Sequence, residues 1–261
     1  MDVRTKLLHL SRASTHAQRK LKHGLERALG LKVLRALPLG NSVFVDLRDR
    51  LPGYRGGGTV FDVGANIGQT ASDFAFWWPD ARIFCFEPVA QNFQELRKNT
   101  ADMPAVECLQ IALADAPGAS EMVLSGLAVT FRIAAQGPSN ELTERVAVDT
   151  VDRVCERLNV THISYLKVDT EGYDLKVLQG AGGMLDRGAI DLIEVEAGMN
   201  PENDLHVPLE QLKSFAEQHG YLLFGIYEQR HDWPTGRPIL RRSNAVFLSR
   251  RIAETYRRQS T

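Results

Sequence analysis

The stretch Thr-Val-Phe-Asp-Val-Gly-Ala-Asn-Ile-Gly-Gln-Thr at residues 59–70 indicates the fold of the chain. Its first five residues are mostly apolar and include β-branched side chains, which is typical of a buried strand. Gly64 and Gly68 follow, and glycines permit a tight turn. A helical pattern then covers 69–78 and stops before Pro79. A strand, a glycine turn and a helix in this order can present free backbone N–H groups to a ligand.

Strands and helices continue to alternate along the chain after this unit. Further strands are predicted at 81–86, 105–111, 163–168 and 190–196, and further helices at 90–100, 149–158, 175–185 and 209–219. The last two predicted strands, 221–227 and 244–248, have no helix between them and are expected to be antiparallel. The pattern predicts an α/β domain with a doubly wound, mostly parallel sheet that carries helices on both faces.

The composition is typical of a soluble globular protein. Hydrophobic residues make up 44% and charged residues 24% of the 261 residues, which excludes global disorder. The formal net charge of -1 lacks the usual electrostatic signature of a nucleic-acid-binding protein, so no nucleic-acid partner is expected. No stretch approaches the roughly 20 apolar residues of a transmembrane segment. Without a secretory signal, and with three scattered cysteines, the chain is predicted to be reduced and cytoplasmic.

Residues 1–40 differ from the main domain, predicted at 41–261, by an excess of lysine and arginine. Leu21, Leu25 and Leu29 recur at helical spacing, so this segment is predicted to form a basic amphipathic helix. One interpretation is an arm for a membrane surface or an anionic partner. The other is a helix that packs on the domain and exposes a solvated basic face. The segment could also pair between the subunits of a homo-oligomer.

The glycine turn and a later acid together predict a nucleoside-bearing cofactor. Glu87 ends the second predicted strand, and a carboxylate there can accept hydrogen bonds from both hydroxyls of a ribose. The turn lacks the G-x-G start that a dinucleotide pyrophosphate requires, and Asp62 adds negative charge beside it. A cationic sulfonium cofactor, S-adenosylmethionine, is therefore favoured. An NAD-dependent oxidoreductase is the alternative on the same kind of sheet.

Three motifs resemble the FkbM family of S-adenosylmethionine-dependent methyltransferases. They are VFDVGANIGQT at 60–70, FEP at 86–88 with Asn92, and LKVDTEGYDLKVLQGA at 166–181. The resemblance implies a seven-stranded, Rossmann-like class I methyltransferase sheet with an antiparallel last strand. It also implies O-methylation of a hydroxyl on a sugar, glycan or natural product, with a small-molecule or saccharide acceptor. The cofactor-binding positions that it implies are Asp62, Gly64, Asn66, Gly68, Glu87, Pro88, Asn92, Ala112 and Asp115.

Two acids after the predicted strand 163–168 are the main catalytic candidates. Asp169 is the first candidate to orient the acceptor hydroxyl or take its proton, and Glu171 is the second. Glu194 and Glu196, at the end of the next strand, could complete an acidic cluster that holds Mg²⁺ through oxygen ligands. The spacing leaves a base and a metal open, and no metal site is assigned. Asp169 could instead cap the following helix, and the two glutamates could pair with Lys167 or an arginine.

The segment 228–242 is predicted to be a loop over the same edge of the sheet. Trp233 could stack on a sugar face, and His231 is an alternative base. The residues predicted to bind the substrate are Glu194, Glu196, His206, Arg230 and Trp233. A nucleic-acid or protein N-methyltransferase is disfavoured by the residues that follow the predicted strand 163–168. Enzymes that methylate planar amines often have proline and an aromatic residue there, whereas this chain has Asp-Thr-Glu-Gly. A non-catalytic cofactor-binding scaffold remains a further alternative.

Overall fold

A computed structural model describes residues 38–54, 56–124, 132–133 and 143–257. The predicted basic helix within 1–40 lies almost wholly outside these residues, so its structure and its pairing between subunits stay predictions. No helix in the described part of the chain is long and apolar enough to cross a membrane.

The strands of the central sheet follow the predicted alternation. They are β1 (Thr59–Val63), β2 (Arg82–Phe86), β3 (Val106–Leu109), β8 (Ile163–Val168), β9 (Ile190–Gly198), β10 (Tyr221–Asp232) and β11 (Arg237–Ser249). Their order is β10-β11-β9-β8-β1-β2-β3. Strand β1 pairs in parallel with both β2 and β8, whereas β11 is antiparallel to both β9 and β10. The seven-stranded, mostly parallel sheet with an antiparallel last strand is thereby confirmed.

Helices connect the strands on both sides of the sheet. They are α1 (Val43–Arg50), α2 (Gln69–Trp77), α3 (Ala90–Asn99), α4 (Val151–Leu158), α5 (Asp174–Gln179), α6 (Gly182–Asp186), α7 (Leu209–Gln218) and α8 (Arg250–Arg257). The single helix predicted at 175–185 is wrong, because the helix is interrupted at Gly180 and α6 begins at Gly182. A side chain on Gly180 would place its Cβ 2.0 Å from the Ala114 carbonyl oxygen, so glycine permits the close approach of the two segments.

A second, smaller sheet interrupts the alternation and was not predicted from the sequence. It contains β4 (Ala112–Leu113), β5 (Gly118–Val123), β6 (Arg132–Ile133) and β7 (Thr143–Asp149). The strand order is β4-β7-β5-β6, and β5 is antiparallel to β7. Strand β7 leads directly into α4, whose N-cap is Thr150. Short strands with mixed polarity give too weak a period for recognition from sequence.

Apolar side chains from β1 and its neighbours form the core on both faces of the central sheet. Phe61 and Ile193 belong to one buried cluster, and Val60 and Tyr165 to the other. Alternating residues of one strand thus enter opposite clusters, as expected for a sheet that helices cover on both faces. This rigid centre fixes where the carboxyl ends of the strands lie.

The loop predicted at 228–242 is wrong, because β10 and β11 continue through most of it as a twisted hairpin. His231 pairs with Leu240, and the register shifts at several points along the two strands. Asp232 is buried at the turn and accepts hydrogen bonds from Thr235, Arg237 and Arg241. The polar residues that made this segment look like a loop in the sequence thus find hydrogen-bond partners within the hairpin.

Candidate functional site

A cavity of about 470 Å³ opens at the carboxyl edge of the central sheet. Its wall includes Val63 at the end of β1, Phe86 at the end of β2, and Glu196 on β9. Arg230 and Arg242 from the twisted hairpin also line it. Ligands of open α/β sheets bind at this edge, so the cavity is the candidate active site.

The glycine turn brings the ends of three strands close together. The N–H groups of Gly64 and Ala65 both donate to the carbonyl oxygen of Phe86, at 3.0 Å each. Gly64 has a φ of 81°, and a Cβ at this position would lie 1.9 Å from the carbonyl oxygen of Asp169. Only glycine permits this approach. The turn thereby sets the distance between the cofactor motif and the catalytic candidate.

Glu87 lies on the cavity wall and is held by backbone donors. Its Oε1 accepts a hydrogen bond from the N–H of Val89 at 2.9 Å, and its Oε2 accepts one from the N–H of Asn66 at 3.1 Å. Burial raises the pKa of Glu87 to about 7, although these two hydrogen bonds act in the opposite direction. The carboxylate has a fixed orientation and retains lone pairs for a ligand.

A buried lysine connects two of the predicted acids. The Nζ of Lys167 lies 3.0 Å from Oδ2 of Asp169 and 3.8 Å from Oδ1 of Asp62. Complete burial raises the pKa of Asp62 to about 6, although Lys167 opposes this rise. Burial would also raise the pKa of Asp169, but Lys167 outweighs it and holds that pKa below the usual range. Asp169 is therefore ionised, and its side chain remains 32% exposed at the cavity.

A second polar cluster combines Glu171, Glu196 and His206. The Nε2 of His206 lies 2.7 Å from Oε2 of Glu196 and 3.5 Å from Oε2 of Glu171. Arg242 contacts the other oxygen of Glu196. Burial raises the pKa of Glu171 and lowers that of His206. Burial thus disfavours the charged form of both groups.

Glu194 does not join this cluster, so the predicted group of four acids does not form. Its Oε2 accepts a hydrogen bond from the Tyr165 hydroxyl at 2.5 Å, and its Oε1 accepts one from Asn244 at 2.7 Å. These buried partners give Glu194 a structural role. The predicted alternative for Asp169, a helix cap, also fails, because the N-cap of α5 is Tyr173.

The structure places many of the predicted site residues around one cavity. The predicted residues that line it are Gly64, Asn66, Glu87, Pro88, Asn92, Ala112, Asp169, Glu171, Glu196 and Arg230. The predicted residues that lie off the wall formed by the described residues are Asp62, Gly68, Asp115, Glu194, His206, His231 and Trp233. Asp62 and His206 lie behind the wall and contact residues that line it.

His231 and Trp233 lie near the tip of the twisted hairpin. Both side chains are exposed, with Trp233 at 61%, and the guanidinium carbon of Arg241 lies 5.4 Å from the centre of the Trp233 ring. Neither side chain lies on the cavity wall. No contact with a residue that the structure describes supports the interpretation of His231 as a base.

Lys167 and Arg242 line the cavity but were not predicted as site residues, although Lys167 and an arginine were named as possible partners of the two glutamates. A lysine inside the mostly apolar, fully buried strand β8 is a signal for a buried partner, because an unpaired charge is costly there. Arg242 had no such signal, since its contact with Glu196 depends on the register of β11 against β9.

The comparisons with known proteins agree with the motifs. A family model described as the methyltransferase FkbM domain matches residues 62–223. The chain belongs to this family. The resemblance seen in the sequence is therefore confirmed, and the FkbM domain contains the glycine turn, Glu87 and the Asp-Thr-Glu-Gly sequence.

Two curated relatives are named as methyltransferases, one for a hexuronic acid and one for a 2-O position. The hexuronic acid methyltransferase AglP of Haloferax volcanii is 28% identical over 149 residues, which are 55% of this chain and 58% of that protein. The 2-O-methyltransferase NoeI of Sinorhizobium fredii is 25% identical over 143 residues, which are 46% of this chain and 56% of that protein. The matches thus span a little over half of each relative's length.

Solved structures match at lower similarity. An rRNA methylase from Streptococcus thermophilus has a TM-score of 0.46 and 9% identity, covering 79% of this chain and 93% of its own. A fibrillarin from Aeropyrum pernix with bound S-adenosylmethionine has a TM-score of 0.42 and 11% identity, covering 75% of this chain and 68% of its own.

Proposed function

We propose that this FkbM-domain protein is an S-adenosylmethionine-dependent O-methyltransferase that acts on a saccharide hydroxyl. The observation that carries the proposal is the arrangement of two acids around one cavity. Glu87 lines it beside the glycine turn, and the ionised Asp169 lines it at the end of β8. The first acid suits a nucleoside, and the second suits a hydroxyl that must be oriented.

The residues around the glycine turn fit the cofactor. Gly64 offers backbone without a side chain, and the glycine turn presents the backbone of Asn66 beside the carboxylate of Glu87. Asn92 and Ala112 also line the cavity and would hold the nucleoside with them. When bound, S-adenosylmethionine supplies an electrophilic methyl group on a positively charged sulfur. The acidic wall near Asp169 and Glu171 suits that charge.

Asp169 is the residue that we expect to handle the acceptor hydroxyl. Lys167 contacts its Oδ2, fixes its orientation and keeps it ionised. A carboxylate held in this way can accept a hydrogen bond from the hydroxyl and align its oxygen for an in-line attack. It can also accept the proton that the hydroxyl loses.

The relatives support an acceptor with sugar hydroxyls. AglP is named for a hexuronic acid, and NoeI is named a 2-O-methyltransferase. Arg230 on the cavity wall is suited to a negatively charged group of such a saccharide. We therefore place uronic acids first among the acceptors to be tried.

The experiment is transfer of a tritiated methyl group from S-adenosylmethionine to free hexuronic acids and to oligosaccharides that contain them. We expect label in the saccharide with the wild-type protein. Asp169→Asn should reduce turnover about 100-fold or more, because positioned proton acceptors contribute on that order. Asp102→Asn changes an exposed acid in the turn after α3 and serves as the matched control.

Binding separates this proposal from its alternatives. Calorimetry with S-adenosylhomocysteine should give the same affinity for Asp169→Asn and wild type within about twofold, because the nucleoside is held on the other side of the cavity. Tight binding of NADH in place of S-adenosylhomocysteine would favour an oxidoreductase. Binding of S-adenosylhomocysteine with full transfer by Asp169→Asn would remove the role given to Asp169.

A further inference from the structure

The cluster of Glu171, Glu196 and His206 has the form of a metal site. One ligand atom from each residue lies within 4.8 Å of the other two. The side chains of His206 and Glu196 are 2% and 3% exposed, and that of Glu171 is 20% exposed because it lines the cavity. A site at this point would be buried on one side and open to the cavity on the other.

Asn203 determines which nitrogen of His206 carries hydrogen. The Asn203 amide nitrogen donates to the Arg241 carbonyl oxygen at 2.8 Å, and its Oδ1 accepts from the N–H groups of Leu205 and His206. The oxygen is therefore the atom that faces Nδ1 of His206 at 3.0 Å. Because that oxygen can only accept, Nδ1 carries the hydrogen. In a neutral ring, Nε2 then directs a lone pair towards the two carboxylates.

Two carboxylate oxygens in the cluster lack a hydrogen-bond donor among the described residues. Oε2 of Glu171 and Oε2 of Glu196 are buried and accept no hydrogen bond from any residue that the structure describes. Nε2 of His206 lies only 2.7 Å from Oε2 of Glu196, but in a neutral ring with hydrogen on Nδ1 it has no hydrogen to donate to that oxygen. Buried acceptors without a partner are costly, so a cation is the missing partner.

We propose that Glu171, Glu196 and His206 bind a divalent transition-metal ion of the Mn²⁺ or Zn²⁺ kind. One imidazole nitrogen and two carboxylates suit these ions, whereas Mg²⁺ prefers oxygen ligands alone. Asn203 supplies the carbonyl-type acceptor that commonly orients a metal-binding histidine through its other nitrogen. Three protein ligands leave a position open for a ligand from the cavity.

The backbone holds the cluster in place. Gly172 has a φ of 100°, and a Cβ there would lie 2.2 Å from the Leu205 carbonyl oxygen. The turn that carries Glu171 is thus pressed against the segment that carries His206. The two ligands come from distant parts of the sequence, and this contact keeps them together without a bound ion.

The role of the ion depends on the proposed function, whereas its binding does not. An ion at Glu171 would bind the acceptor hydroxyl from the cavity and lower its pKa. The O–H bond would then break with transfer of the proton to Asp169.

The test is a titration of chelator-treated protein with MnCl₂, in which electron paramagnetic resonance measures the free Mn²⁺. A calorimetric titration with ZnCl₂ is carried out in parallel. We expect one ion per chain with at least one of the two metals. Glu171→Gln and His206→Ala should each weaken binding about 100-fold or more, because even indirect partners contribute 10- to 100-fold. Asn203→Ala should weaken it about tenfold or more for that reason.

The controls separate this site from adventitious binding and from misfolding. His162→Ala removes a histidine that lies 3.1 Å from Asp191, outside the cluster, and should leave the affinity unchanged. Glu171→Gln nearly preserves shape, and its melting temperature shows whether the fold is retained. No stoichiometric binding of either metal, or equal binding by the folded Glu171→Gln and His206→Ala variants, would overturn the proposal. Metal binding without binding of S-adenosylhomocysteine would instead refute the proposed function alone.

Discussion

Replacing Glu87 by glutamine is expected to weaken binding of S-adenosylhomocysteine about 10- to 100-fold at pH 8. A hydrogen bond to a charged group contributes about 1.5–3 kcal/mol, and the amide loses that charge. The wild-type affinity should also depend on pH, because the pKa of Glu87 is raised to about 7 by burial. At that pKa the ionised fraction is about 0.9 at pH 8 and about 0.1 at pH 6. If the ionised form binds, the affinity falls about tenfold between these pH values.

The assay is isothermal titration calorimetry at pH 6, 7 and 8, with melting temperatures measured in parallel. The variant should show weak binding that no longer changes over this range. The stability control is needed because glutamine keeps only one of the two acceptors that hold the N–H groups of Val89 and Asn66. Glu95→Gln, an exposed change on α3, is the matched control and should bind as wild type. Equal affinity in wild type and Glu87→Gln, or the same pH dependence in both, would refute the reasoning.

Two further substitutions, measured by urea denaturation, test how contacts at the site contribute to the free energy of unfolding. Gly64→Ala should lower the free energy of unfolding by about 2 kcal/mol or more, because a left-handed φ and a contact with the Asp169 carbonyl oxygen both oppose a side chain. Gly188→Ala is the control, because Gly188 has a φ of 61° and no described atom lies within 4 Å of the added Cβ. It should lower the free energy of unfolding by only about 1 kcal/mol. Equal losses in the two variants would show that the contact with the Asp169 carbonyl oxygen has no effect. Lys167→Met should cost about 3 kcal/mol, because it leaves the buried Asp62 without its cation. The loss of stability in Lys167→Met should be larger at pH 8 than at pH 5, since removal of the lysine raises the pKa of Asp62 further. Adding Asp62→Asn should recover part of the lost stability. An equal loss in the double variant would contradict the pairing of Lys167 with Asp62.

The central sheet was predictable because each parallel strand is a short apolar run followed by a turn and a helix. The glycine turn and Glu87 were recognisable for the same reason, as they lie at fixed places after strands. Asp169 and Glu171 were found because acids that directly follow a buried strand reach the carboxyl edge. Local sequence is enough when a residue's position depends on its own strand.

The parts that were missed depend on contacts between distant segments. The twisted hairpin resembles a loop because its polar side chains pair across two strands, as Asp232 does with Arg237. Glu194 and Glu196 are two residues apart and looked equivalent, yet Tyr165 engages one and His206 the other. The tautomer of His206 depends on Asn203, whose orientation is set by a carbonyl oxygen on β11. Spacing alone contains none of this information.

The most direct test of the account is a crystal structure of the protein with S-adenosylhomocysteine. We predict that the nucleoside occupies the cavity with its ribose hydroxyls within hydrogen-bond distance of Glu87 and its sulfur on the side of Asp169. A nucleoside bound away from the glycine turn, or a ribose without contact to Glu87, would contradict the site and the function derived from it.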